Sequence, residues 1–262
     1  MLDASRINKE VPGRFFVQAH DCVSSTNTLI KDALRQNCGE GLVITSLTQD
    51  GGYGRQGRAW TSPFGGLYFS LALRPQVSFE ELPTLSLVVA LALKSAFESL
   101  EFPNIQIKWP NDILLNEAKL VGISLESVAG GVCIGIGINV FPEDATSLSE
   151  NYNTAYLFAA GEHGDVVVSK ERQKILEDTL IASLKELDRF YEKWLLEGFV
   201  DLQERYQEAL YNKGSFVRLE AIDHSALYEG VVEGVNEFGQ LILRQADGLR
   251  IAASSGEVHT VH

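Results

Sequence analysis

Along residues 15–140, apolar and polar positions follow two alternating periods. GLVITSLTQ (41–49), LYFSLALRP (67–75) and GVCIGIGINV (131–140) are short apolar runs rich in β-branched residues and read as strands. Between them, 25–35 and 82–100 carry a helical pattern, with Pro83 placed near the first turn of the second. Residues 169–212 read as helical throughout: Ser169 is a candidate N-cap, and Leu176, Leu180, Leu184, Leu187 and Tyr191 form a core-facing stripe. From residue 214 the pattern changes to short strands, SFVRLEA, LYEGVVEGV, GQLILRQ and LRIAASSGEVHTV. Turn signals at 236–239 and at Asp247-Gly248 punctuate them, and this predicts a small β-barrel of about fifty residues. The whole predicts an α/β or α+β core, a helical stretch and a small β-barrel.

Composition narrows the function classes. The 262 residues are 45% hydrophobic and 22% charged, as in ordinary globular proteins, and the formal charge is −13. That charge disfavours a nucleic-acid or anionic-membrane surface, which draws on clustered Lys and Arg. Cys22, Cys38 and Cys133 are an odd number without CxxC spacing, which suits a reducing compartment, and they read as buried small apolar residues. The longest apolar run, 85–93, is far shorter than the roughly 20 residues of a membrane span. The first 14 residues lack a secretory core, so the expected location is cytoplasmic.

Two segments carry candidate chemistry. In TQDGGYGRQGRAW (48–60), Gly51, Gly52, Gly54 and Gly57 can let backbone N–H groups approach an anion, while Arg55 and Arg58 can bind carboxylate or phosphate. No P-loop and no Rossmann fingerprint is present. In IKWPNDILLNEAKLVGISLE (107–126), Pro110 biases Trp109 towards an extended conformation and Asn111-Asp112 is a turn pair. Lys119 is placed to oppose negative charge developing on a phosphate, beside Gly122, where a ligand can lie against the backbone. Asp112 can orient an amine or take its proton, or serve only the turn. One of Ser25, Thr26 and Asn27 should cap a helix, and Asn139 ends the GIGIN segment, whose glycines suggest a bulge. The histidines, His20, His163, His224, His259 and His262, show no metal-site spacing, and no metal ligand is assigned.

Read in order, STN (25–27), Gln49, GRQGRAW (54–60), KWPND (108–112), KLVGI (119–123), GIGIN and the terminal SSGEVH resemble the biotin protein ligases, over nearly the whole chain. Together with the pattern, the resemblance implies an α+β fold: a class II synthetase-like catalytic domain over 1–212, whose central mixed or mostly antiparallel sheet carries helices on one face and the pocket on the other, and an SH3-like β-barrel over 213–262. It implies that biotin is activated by ATP, with Mg²⁺, to biotinyl-5′-AMP and passed to a lysine of a biotin carboxyl carrier protein. By matching positions, Ser25, Thr26, Asn27 and Gln49 would hold biotin's ureido head, with Gly51, Tyr53, Gly54 and Gly122 lining its site. Arg55 and Arg58 would close over the acyl phosphate, Trp60 would stack on adenine, and Asn111 and Asn139 would help fix the nucleotide. Lys119 would bridge the biotin carboxyl and the α-phosphate, and Asp112 would meet the carrier lysine.

Two departures from the family pattern matter. Its loop usually reads GRGRxGR, and Tyr53 stands where the first arginine would be, leaving one cation fewer and a phenol that can donate one hydrogen bond. Only 24 residues precede Ser25, too few for the DNA-binding module of some relatives, so a monofunctional ligase without DNA or membrane partners is expected. The alternatives are a lipoate-type ligase, a biotin sensor without turnover and a DNA-binding regulator. Dimerisation through a sheet edge stays open.

Overall fold

The structure is a computed structural model that describes residues 1–142, 154–158, 170–221 and 223–261; Ser169, His163 and His262 lie outside them. Seven strands make one sheet: β1 (Phe16–Val23), β2 (Leu42–Gln49), β3 (Gly66–Leu73), β4 (Ile105–Lys108), β5 (Asp112–Leu115), β6 (Ala118–Val128) and β7 (Gly131–Asn139). Their order is β1-β2-β3-β7-β6-β5-β4. Only β1 and β2 are parallel, and their crossover is α2 (Thr26–Arg35); every other pair is antiparallel.

The two faces of this sheet differ in chemistry because side chains alternate along each strand. Leu67, Phe69, Leu71 and Leu73 of β3, with Val132, Ile134, Ile136 and Ile138 of β7, enter the main core. Above them lie α1 (Ala4–Glu10), α3 (Leu85–Ser99) and α4 (Lys170–Glu197). Helix α3 is buried almost all round, from Leu85 through Phe97, because it is wedged between sheet and α4. Each such large side chain contributes about 1.5–3 kcal/mol. By length and composition the segment Leu82–Ser99 is the one described helix apolar enough to cross a membrane, and its place in the core accounts for that apolarity.

The opposite face is where the molecule departs from the expectation that helices keep to one side. Helix α2 lies there, its Ile30 and Leu34 packed on Ile44, Ala72 and Cys133. The reason is local: α2 must carry its polar N-terminal residues onto the face that holds the pocket, while its last turns need an apolar seat. Burial pushes the Cys133 thiol up to about 12. The reading of all three cysteines as buried holds for Cys133 only, since Cys38 is half-buried and Cys22 is exposed on the edge strand β1.

The long helical stretch is two helices. Gly198 adopts a left-handed φ of 74° and its N–H closes on Trp194 O, which ends α4 before α5 (Val200–Ala209) begins. The second sheet is antiparallel, in the order β11-β10-β9-β8-β12: β8 (Phe216–Glu220), β9 (Ala226–Val235), β10 (Leu241–Arg244), β11 (Arg250–Ala253) and β12 (Glu257–Thr260). The Asn236 side chain accepts from the N–H groups of Phe238 and Gln240, which forms the expected turn. Trp109 Nε1 donates to Gly239 O at 2.9 Å and ties this sheet to the KWPND segment. The fold is thus α+β, a mixed sheet with helices followed by an SH3-like β unit.

Candidate active site

The pocket face of the large sheet holds two polar clusters with a tryptophan between them. The first is neutral. Ser25 stands at the N-cap of α2 without a side-chain cap bond; Gln49 Oε1, from the end of β2, accepts from Thr26 N at 2.8 Å and Thr26 Oγ1 at 3.1 Å. Gln49 Nε2 in turn donates to Ser62 Oγ at 2.9 Å. Ser70 Oγ lies 2.7 Å from both Thr26 Oγ1 and Asn27 Oδ1, and Asn27 Nδ2 donates to Ser124 Oγ at 3.1 Å. All of these but the half-buried Gln49 are buried, and apart from Ser25 they hold one another, as buried polar groups must.

The GIGIN glycines explain how Asn27 fits. They do not form a bulge, since β7 pairs in unbroken register with β3 and β6. A Cβ on Gly135 would stand 2.0 Å from Asn27 Oδ1, and one on Gly137 would stand 2.6 Å from Trp60 Nε1. On β6, a Cβ at Gly122 would meet the same indole at 2.7 Å. Trp60 therefore lies flat against backbone that only glycine leaves open.

The glycine-rich loop is a tight hairpin. Tyr53 bridges Ala59, Gly54 N donates to Arg58 O, and Trp60 N donates to Gly52 O. The amides of Gly51 and Gly54, read from the sequence as anion donors, are used inside the fold: Gly51 N bonds Ser24 O at 2.8 Å and Gly54 N bonds Arg58 O at 2.8 Å. A hairpin this short pairs its own amides first. Its tip turns through left-handed Gln56 and Gly57.

The second cluster is charged. Between β5 and β6 the register skips Leu120, pairing Ile113 with Val121 but Leu114 with Lys119. This bulge sends Leu120 into the core and re-aims Lys119 onto the pocket face. There Lys119 Nζ lies 2.8 Å from Asp112 Oδ2 and 5.4 Å from the Trp60 ring centre. Arg55 Nη1 donates to Asn111 Oδ1 at 2.6 Å, and Asn111 Nδ2 is anchored on Ile123 O at 2.9 Å. Asn139 Nδ2 holds Lys119 O at 3.2 Å. Lys108 stands opposite Asp112 in the β4–β5 pairing and makes no ion pair among the described residues. Burial pulls the Lys108 ammonium below its ordinary range, with Lys119 adding to the effect and Asp112 opposing it. Burial likewise lowers Arg55, against the pull of Asp112 and with help from Arg58.

The candidates thus converge, with two exceptions. Arg58 turns outward and pairs with Glu257 of β12. Tyr53 does not face the charged cluster: its ring lies under Lys31 of α2, the ammonium 4.9 Å from the ring centre. The pair Asn111-Asp112 is split, Asn111 in the turn and Asp112 opening β5. Ser62, Ser70 and Ser124 were missed, as were Lys31 and Glu126. Ser70 left a signal, a lone serine in the otherwise apolar text of β3.

The pocket thus has a neutral hydrogen-bonding end, an indole in its middle and a cationic end. The Biotin/lipoate A/B protein ligase family matches residues 19–140, and the Biotin protein ligase C terminal domain matches residues 214–259. The bifunctional ligase/repressor BirA of Bacillus subtilis (strain 168) is 30% identical over 260 residues, 93% of this chain and 74% of that protein. The biotin--[acetyl-CoA-carboxylase] ligase of Paracoccus denitrificans is 32% identical over 215 residues, 79% of this chain and 86% of the relative. The biotin protein ligase from Aquifex aeolicus in complex with biotin and ATP superposes with a TM-score of 0.75 at 27% identity, covering 93% of this chain and 97% of that one. The chain belongs to the biotin protein ligase family.

Proposed function

We propose that the chain activates biotin with ATP and transfers it to a lysine of a biotin carboxyl carrier protein of acetyl-CoA carboxylase. The observation that carries this reading is the juxtaposition of Lys119, Asp112, Arg55 and Lys108 at one end of a glycine-floored pocket whose other end is neutral. The cations outnumber the carboxylates there, and burial holds Lys108 and Arg55 below their ordinary proton affinity. An anion entering that space relieves both.

In the first step a biotin carboxylate oxygen attacks the α-phosphorus of ATP, the bond to the bridging oxygen of the β-phosphate breaks, and pyrophosphate leaves. Lys119, held by Asp112 and by the Asn139 contact to its carbonyl, would bridge the carboxyl and the α-phosphate and stabilise charge in the transition state. Arg55 faces the same intermediate, and Asn111 aims it. Trp60 would stack on adenine and shield the anhydride from water. Ser25, Thr26, Asn27 and Gln49 supply neutral donors and acceptors suited to an uncharged ureido head, lined further by Gly51, Gly54 and Gly122. In the second step the carrier lysine's amine attacks the acyl carbon, the bond to AMP oxygen breaks, and AMP leaves, with Asp112 oriented to meet the amine. Among the described residues no three of His, Cys, Asp and Glu converge as a metal cage, so Mg²⁺ would arrive on the phosphates of the nucleotide.

Biotin-dependent pyrophosphate release from ATP, measured with biotin, with lipoate and with neither, tests the reading. Release with biotin alone is expected. Binding of biotin without release would leave a sensor, and release with lipoate would move the chain to the sister activity.

A further inference from the structure

The mechanism above leaves unused a group of side chains at the α2 side of the pocket. Lys31 sits one turn beyond Asn27 on α2, so both point the same way. Its ammonium lies 2.8 Å from Glu126 Oε2 of β6 and 4.9 Å from the centre of the Tyr53 ring. Burial works against that charge, but Glu126, with Tyr53 beside it, more than offsets it and holds Lys31 above its ordinary range. The Tyr53 hydroxyl and Glu126 Oε1 are buried. The carbonyl of Tyr53 meets Asn27 Nδ2 at 3.4 Å. Thus the single residue at which this loop departs from its family pattern is the one that touches α2.

We propose that Lys31 is a positioning residue which, with Tyr53, latches the glycine-rich loop to α2. Closure then rests on contacts within the chain and not only on the charge of a ligand. A cation over an aromatic face is attractive, whereas an arginine at position 53 would bring a second positive charge against Lys31. The two residues therefore go together. Because Asn27 touches both the neutral cluster and the Tyr53 carbonyl, the latch also couples the loop to the biotin-head end. The consequence for retaining biotinyl-AMP rests on the proposed function; the latch itself does not.

The test uses trypsin on the full chain without biotin or ATP, since Arg55 and Arg58 are cleavage sites inside the loop. Lys31→Met and Tyr53→Leu should each speed cleavage there by about 2- to 30-fold, the range spanned by a cation over a ring. The double variant should be no worse than either single one, and Tyr53→Phe and Lys31→Arg should stay slow, since they keep a ring and a cation. Unchanged cleavage in both single variants, or effects that multiply in the double, would overturn the latch. Should Lys31→Met unfold, cleavage would rise along the whole chain, and the comparison of Tyr53→Leu with Tyr53→Phe still decides. No turnover is needed, so a failed latch leaves the ligase reading intact, and absent pyrophosphate release leaves the cleavage result standing. Release of the acyl-adenylate from Lys31→Met, faster by the same factor, is the functional counterpart.

Discussion

The two ends of the pocket are built on opposite principles. At the β3 and β7 side, Thr26, Asn27, Gln49, Ser62, Ser70 and Ser124 are neutral and each is bonded to another of the set. At the β4, β5 and β6 side, Lys108 has no ion-pair partner among the described residues, and Lys119 and Arg55 share the surroundings of one carboxylate, Asp112. A satisfied, uncharged network recognises a neutral group by shape and donor pattern, and it binds ground and transition states alike. An excess of cations instead holds a field that is most favourable when negative charge is greatest. On the proposed function, the difference means that recognition and chemistry occupy one sheet face without sharing side chains, with Trp60 as the partition.

Breaking the charged end should have the largest effect. Lys119→Ala should slow adenylation by a factor of hundreds or more, as loss of one charge-stabilising donor costs roughly 3–4 kcal/mol; single-turnover pyrophosphate release checks it. Breaking the neutral end comes next. Asn27→Ala leaves Ser124 without its partner in the cluster and Ser70 with Thr26 alone, and biotin affinity should fall about 10- to 100-fold, in line with roughly 1–3 kcal/mol for an unsatisfied buried group. Calorimetry of biotin binding measures that directly.

Arg55→Gly should act on holding more than on chemistry, releasing biotinyl-AMP about tenfold faster in a chase with unlabelled biotin. The smallest effect sharpens the contrast through stability. Lys108→Met should raise the melting temperature and weaken ATP binding together, because an ammonium is lost from a site that penalises it. The folded-state pKa of Lys108 lies below the ordinary 10.5. The unfolded chain therefore holds the proton more tightly, and this group costs stability in full below its folded pKa. That cost fades as pH rises towards 10.5, so the advantage of Lys108→Met should shrink over the same window.

Much of this was legible in the sequence because the physics was local. The β-branched runs, the continuous apolar run of α3 with Pro83 near its first turn, and the turn residues at Asn236 and Gly239 read correctly from neighbouring residues alone. The motif residues also pointed to one place. What stayed hidden depended on long-range pairing. The bulge at Leu120, which turns Lys119 onto the pocket face, exists only in the β5–β6 register. The N-terminus of α2 is capped by Gln49 from another strand, which no reading of STN could reveal. Tyr53 looked like a lost phosphate contact, and its partner Lys31 lies 22 positions earlier on the opposite wall.

The most direct measurement puts Lys119→Ala and Asn27→Ala side by side, recording equilibrium biotin affinity and the single-turnover rate of pyrophosphate release at saturating biotin. A crossover is predicted: Asn27→Ala loses affinity but keeps most of the saturated rate, and Lys119→Ala keeps affinity far better than rate. Wild-type adenylation by Lys119→Ala, or equal losses of both quantities in both variants, would contradict a pocket divided between recognition and chemistry.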